Sequence, residues 1–197
     1  MRGIPEQGFS WSPNEDFLIY YPREEGVKDE GPLKRIVSPA DRIPNTRGRS
    51  FLARYDIASG TSERLTYGNH STYMQDISPD GKYLAFTLQE YGGFGVWHKD
   101  AELYMIRLSD GKTYPLSEAN SAEGESYHSW SHNNRWLVFS SRRLDGLYTR
   151  PFFTYIDDKG TAHKPFLLPQ KNPVKYYKDL LWTYNLPEFI QEKAQVD

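Results

Sequence analysis

The sequence predicts an all-β chain, a partial β-propeller of about three four-stranded antiparallel blades with a short helical C-terminal extension, on three observations. A Ser, a polar turn and a four-residue apolar run recur at the same offsets in Trp11–Tyr20, in Ile77–Phe86 within the stretch DISPDGKYLAFT, and in Trp130–Phe139. Downstream, Leu52–Gly60 aligns without a gap on Leu103–Gly111, and Phe152–Gly160 is a third copy, so the unit is a repeat of about fifty residues. Aromatics make up 15% of the chain, with 15 Tyr and 10 Phe, a composition that favours strands over helices.

Each repeat reads as four strands. In the middle copy they are Tyr73–Ile77, Tyr83–Leu88, Glu102–Leu108 and Lys112–Leu116. Pro79-Asp80-Gly81 joins the first two: Pro presets φ, Asp bonds the backbone ahead of it and Gly accepts a positive φ. Ser109–Lys112 closes the third strand onto the fourth, as do Ala58–Thr61 and Asp158–Thr161 in the other copies. The blades are expected over 8–66, 73–116 and 126–168, within a propeller portion 1–168 that is followed by an extension, 169–197.

Two insertions interrupt the pattern. Pro22–Ser50 holds four prolines and 12 charged residues, a composition compatible with disorder or with a fixed loop bearing Arg42, Arg47 and Arg49. Such an arginine cluster can grip carboxylates or phosphates, although Glu24, Glu25, Asp29, Glu30 and Asp41 are near enough in sequence to neutralise it. The second insertion, Tyr91–His98, is Gly-rich and aromatic but lacks the spacing of a nucleotide cradle. After the third repeat, Leu168–Pro173 reads as a linker, Val174–Leu181 as a short helix, and Asn185–Phe189 as a turn or a second short helix begun by Pro. Trp182, Tyr184 and Phe189 are too apolar to be left loose, so the tail is expected to fold back on a blade or cap the open end of the fan.

Three blades cannot close a ring, and exposed terminal blades leave large apolar patches in water. The expectation is that this is part of a longer propeller, or that a homodimer completes a six-bladed ring. A net charge of −2 gives no field for nucleic acid or an anionic membrane, and no apolar run is long enough to insert into one. Cysteine is absent, which removes disulfides, thiolate metal sites and a cysteine nucleophile. The segment from Met1 to Gly8 has no apolar core of a signal peptide.

Candidate functional residues are few. The first strand of a propeller blade runs beside the central channel, so Gln75 and His128 are expected to line it, as polar contacts or as ordinary wall residues. His128 and His132 are four apart, but on a strand and a turn rather than on one helix face, so no metal centre and no cofactor is expected. Ser12, Ser78 and Ser131 repeat as parts of a structural turn, and no Gly-x-Ser-x-Gly elbow is present. The carboxylates Asp157-Asp158 and Glu123/Glu125 are expected to be solvated. Arg142, Arg143 and Arg150, gathered around one Asp in Ser140–Arg150, are expected to form an edge salt-bridge network or a recognition surface.

DISPDGKYLAFT followed by ELYMIRLSDGKTYPLS resembles the TolB-type propeller repeat, over roughly residues 9 to 168. The stretches Asp41–Phe86 and Glu125–Pro173 look like an uncharacterised TolB-like group of exported bacterial proteins. The resemblance implies a propeller with further blades and a periplasmic or exported location, and says little about function, because propellers host unrelated activities on a common frame. The expected role is recognition of a protein partner or small ligand without catalysis. Arg42, Arg47, Arg49, Gln75, His128, Arg142 and Arg143 are the expected contact residues. The alternative is a propeller-based enzyme, a lyase or hydrolase working at the channel mouth, or the regulatory propeller of a peptidase.

Overall fold

A computed structural model describes residues 8–24, 48–68 and 70–190. Three four-stranded antiparallel sheets follow one another in it, each with its strands in chain order. The first contains β1 (Phe9–Trp11), β2 (Phe17–Tyr20), β3 (Ala53–Asp56) and β4 (Ser62–Arg64). The second contains β5 (Ser71–Ile77), β6 (Tyr83–Gln89), β7 (Glu102–Arg107) and β8 (Lys112–Pro115). The third contains β9 (Glu125–Trp130), β10 (Trp136–Ser141), β11 (Arg150–Tyr155) and the two-residue β12 (Phe166–Leu167). Neighbouring sheets meet through β1 and β5 and through β5 and β9, so the first strand of each blade lies on the inner, channel side.

The recurring Ser explains why the first hairpin is the same in every blade. Its Oγ accepts the N–H five residues on, from Phe17 to Ser12 at 3.1 Å, Tyr83 to Ser78 at 3.0 Å and Trp136 to Ser131 at 2.9 Å. Each of these hydroxyls donates in turn to a turn side chain, Asp16, Asp80 or Asn133. The residue at the tip has a positive φ in all three copies: Glu15 at 57°, Gly81 at 71° and Asn134 at 60°. Only one copy uses the residue type for which that conformation carries no steric cost.

Alternation along the strands then builds two cores between blades. Leu84 and Phe86 of β6, with Ile77 and Ile106, meet Phe17, Ile19 and Leu52 of the first blade. Ala85, Leu103 and Met105, on the opposite face of the same sheet, meet Trp130, Leu137, Phe139 and Phe152 of the third. The middle blade is therefore apolar on both faces, and burying each of these large side chains contributes roughly 1.5–3 kcal/mol. A polar contact at the inner edge repeats as well: Ser10 Oγ accepts from Ile77 N at 3.3 Å, and Asp76 Oδ2 accepts from Trp130 N at 3.2 Å.

The extension begins with α1 (Pro173–Asp179), one residue earlier than the sequence predicts, because Asn172 caps it by accepting Lys175 N at 3.1 Å and Pro173 fills the first turn. It ends at Leu180, whose backbone is extended. Asn185–Phe189 forms neither of the expected elements; its backbone is engaged by the third blade instead. Ser140 Oγ donates to the carbonyls of Tyr184 and Asn185 at 2.7 and 2.9 Å, Tyr184 N donates to Thr149 O at 3.1 Å, and Phe189 meets the Phe153 ring edge-on. The buried Arg150 guanidinium donates to the carbonyls of Leu180 and Trp182. The tail thus folds back on a blade, but it does so largely by backbone contacts, and Trp182 stays 75% exposed.

Most of the long insertion, residues 25–47, lies outside the described residues, and with it Arg42 and Arg47. Its described ends are bridged, with Arg23 opposite Ser50 and Glu24 N donating to Arg49 O at 2.9 Å. The second insertion contains a single 3-10 turn, Gly95–Trp97. Among the described residues no helix is long and apolar enough to cross a membrane.

Candidate functional site, a channel-side cleft

Two β-bulges shape the inner wall. The pairing of β5 with β6 slips between Tyr73 and Asp76, and that of β9 with β10 slips between Val138 and Ser140. At each slip a non-glycine residue takes a positive φ, Met74 at 53° and Tyr127 at 49°. A bulge re-aims the side chains that follow it, and those are Gln75-Asp76 in one strand and His128-Ser129 in the other. Together with Leu186, Pro187 and Glu188 of the tail they line a cleft of about 270 Å³.

Gln75 and His128, both expected at the channel wall, are brought together here, 9% and 8% exposed. The Gln75 amide donates through Nε2 to the carbonyls of Gly8 and Ile19 at 2.5 and 3.1 Å. That fixes its orientation, because a flipped amide would set oxygen against two carbonyls. Its Oε1 is buried without a partner, and the His128 ring nitrogens make no well-formed hydrogen bond, the Ala85 carbonyl being their nearest polar neighbour. Burial holds the His128 pKa down at about 4, against a smaller upward pull from the Ala85 backbone, so the ring is neutral at pH 7.

Asp76, which the sequence did not single out, completes the group. Burial pushes its carboxyl up to about 6; the Trp130 N–H pulls the other way, and the charge of Glu188 adds to the rise. No Lys or Arg lines the cleft. Among the described residues no three His, Asp or Glu side chains gather as a metal centre. One trace of Asp76 is visible in the sequence: it stands where the other two repeats carry Ser10 and Ser129.

The remaining expected contact residues lie elsewhere. Arg49 sits beside His70, whose pKa is lowered by burial and then by the charges of Arg49 and Arg64. Arg142 donates to the carbonyls of Leu147 and Val96, both at 3.3 Å, and lies over the Trp97 ring. Arg143 is turned inward, donating to Ser141 Oγ, the Ala119 carbonyl and Glu125 Oε1. Glu125 itself is fully buried at the start of β9, which corrects its reading as a solvated charge: Arg143, Ser121 and Ser141 replace its water.

No protein-family model and no curated protein matches the chain. Solved structures do. A TolB structure from Agrobacterium tumefaciens superposes with a TM-score of 0.55 at 19% identity, covering 85% of this chain and 50% of that one. Oligogalacturonate lyase from Vibrio parahaemolyticus gives 0.57 at 13% identity, covering 84% and 43%. The β-propeller domain of the trilobed protease from Pyrococcus furiosus, described as having an open velcro topology, gives 0.50 at 16% identity, covering 84% and 43%. Likeness at this level shows the fold, a TolB-like β-propeller of which this chain presents three blades. The chain spans half or less of the length of each of these proteins.

Proposed function

We propose that this chain is a non-catalytic recognition module, and that it takes a small ligand or a segment of a protein partner in the cleft between the inner strands of its second and third blades. The observation that carries the reading is the gathering of unpartnered polar groups at one place, Gln75 Oε1 and the His128 ring, both on strands whose bulges face them toward the channel side. Buried polar groups without partners are rare in folded proteins, because each costs about 1–3 kcal/mol, and they concentrate where a ligand supplies the missing hydrogen bonds. An exported setting, which the sequence resemblance implies, belongs to the same proposal.

Completion of the ring by a second copy or by further blades is part of this reading. The tail lies on β10 and β11, so closure against that face requires the tail to leave it. Light scattering over a dilution series tests this: twice 22.9 kDa supports closure by a second copy, and a monomer at all concentrations opposes it.

A second reading, an enzyme at the channel mouth, draws on the likeness to oligogalacturonate lyase. Amide NMR of the whole chain separates the two. Saturable shifts of Gln75, His128 and Trp130 with a ligand that leaves unaltered support recognition; steady conversion of an oligogalacturonate, abolished by His128→Ala, would replace it with catalysis.

A further inference from the structure

We infer that the cleft recognises an organic cation carrying N–H donors, an ammonium or guanidinium group, held between Asp76 and Glu188 with Gln75 Oε1 as a further acceptor. The inference rests on the recognition reading above and names the ligand's chemistry. Gln75 Oε1 can only accept a hydrogen bond, with the amide's donors already spent on Gly8 and Ile19, and the neutral His128 ring offers one acceptor nitrogen, its N–H being the side that the Ala85 carbonyl faces. The charges present are two carboxylates, one from β5 and one from the tail, and no Lys or Arg is among the lining residues.

An anion would meet that pair as a like charge, and a neutral apolar group would strand the acceptors. A cation with several N–H groups satisfies both conditions, since each donor finds an acceptor and the repulsion between Asp76 and Glu188 becomes attraction. The tail is therefore a wall of the site and contributes half of its charge. The titratable groups facing Asp76 are Glu188 on the tail and Tyr127 and His128 on β9. A bound cation favours the ionised carboxyl, so affinity is expected to fall on acidification through about pH 6.

The test uses the full chain, isotopically labelled, with four N-acetylated amino-acid amides as probes: lysine, arginine, norleucine and glutamate. The lysine or arginine probe is expected to shift the Gln75 side-chain amide and the Trp130 backbone amide saturably at pH 7.5. Asp76→Asn should weaken that binding about tenfold or more, as expected for loss of a charged hydrogen bond. Glu188→Gln, at an exposed tail position that cannot unfold the protein, should weaken it several-fold. Which of the two cationic probes binds tells ammonium from guanidinium. Equal binding of the norleucine or glutamate probe at the same resonances would overturn the cationic chemistry and leave recognition at the cleft standing. Cleft resonances that respond to no probe while Asp76→Asn changes nothing would overturn the inference, and if a broad fragment set also leaves them unmoved, the recognition reading fails too.

Discussion

Glu125 and Asp76 are both carboxylates that inner strands carry into the interior, and the protein treats them oppositely. Glu125 opens β9 with no exposed surface; Oε1 accepts from Ser121, Ser141 and Arg143, and Oε2 accepts from Ser121 N at 2.8 Å. Asp76, near the end of β5, receives one backbone N–H at 3.2 Å and faces a like charge. Burying an ion costs several kcal/mol unless a counter-ion and hydrogen bonds replace its water. The first carboxylate has that replacement within the chain and acts as a bolt between β9, β10 and the loop ahead of them. The second lacks it, at the one place where the fold also leaves Gln75 and His128 without partners. Buried charge marks structure when it is matched, and a candidate binding site when it is not.

The comparison breaks most visibly if the bolt is removed. Arg143→Met should destabilise the fold by about 3–5 kcal/mol in urea unfolding, because it leaves Glu125 buried and unpaired. A loss under about 1 kcal/mol would mean that Glu125 does not depend on its cation.

The second effect has the opposite sign. Asp76 has a folded pKa of about 6, above its usual 3.8, so its contribution to stability is fully present below pH 3.8 and lost as the pH rises through 6. Asp76→Asn removes the charge that causes the loss. At pH 8 the variant should be more stable than the parent by up to ~3 kcal/mol, and the advantage should vanish by about pH 4. Comparing variant with parent at each pH also cancels the titration of His128, which is common to both. A variant less stable than the parent at pH 8 would show that Asp76 is held by contacts as good as those of Glu125.

Ser141→Ala sharpens the picture on the Glu125 side, since Ser141 Oγ donates to Oε1 and accepts from the Arg143 backbone and guanidinium. A loss of about 1–2 kcal/mol is expected in the same unfolding measurement. The smallest effect belongs to Glu188→Gln: removing the like charge should lower the Asp76 midpoint by a fraction of a pH unit, read from the Trp130 amide, with a correspondingly small gain in stability at pH 8.

Much of the frame was legible in the sequence because it rests on local chemistry. The Ser at each first turn bonds an N–H five residues away, so its signal repeats wherever the hairpin does. The alternation in Tyr83–Gln89 likewise reports a strand with a core on each side. That Gln75 and His128 lie on inner strands was legible from strand position alone. What escaped depends on distant partners. Glu125 reads as solvated beside Glu123 until β10 delivers Ser141 and the segment after it delivers Arg143. Asp76 becomes unusual only when β9 buries it and the tail brings Glu188 near. The bulges at Met74 and Tyr127 carry no glycine, so nothing in the local sequence announces their positive φ. The tail's course is set by carbonyls held by Ser140 and Arg150, groups every residue type shares.

The most direct measurement is a pH titration of the Trp130 backbone amide by NMR, between pH 3.5 and 8, in the unliganded chain. This N–H donates to the Asp76 carboxyl and reports its ionisation. A midpoint near 6, moving down when a cationic probe binds, is the expected result for a buried carboxylate left without a counter-ion. A midpoint at or below 3.8 would show that Asp76 is matched within the chain as Glu125 is, and would remove the ground for a cation site at the cleft.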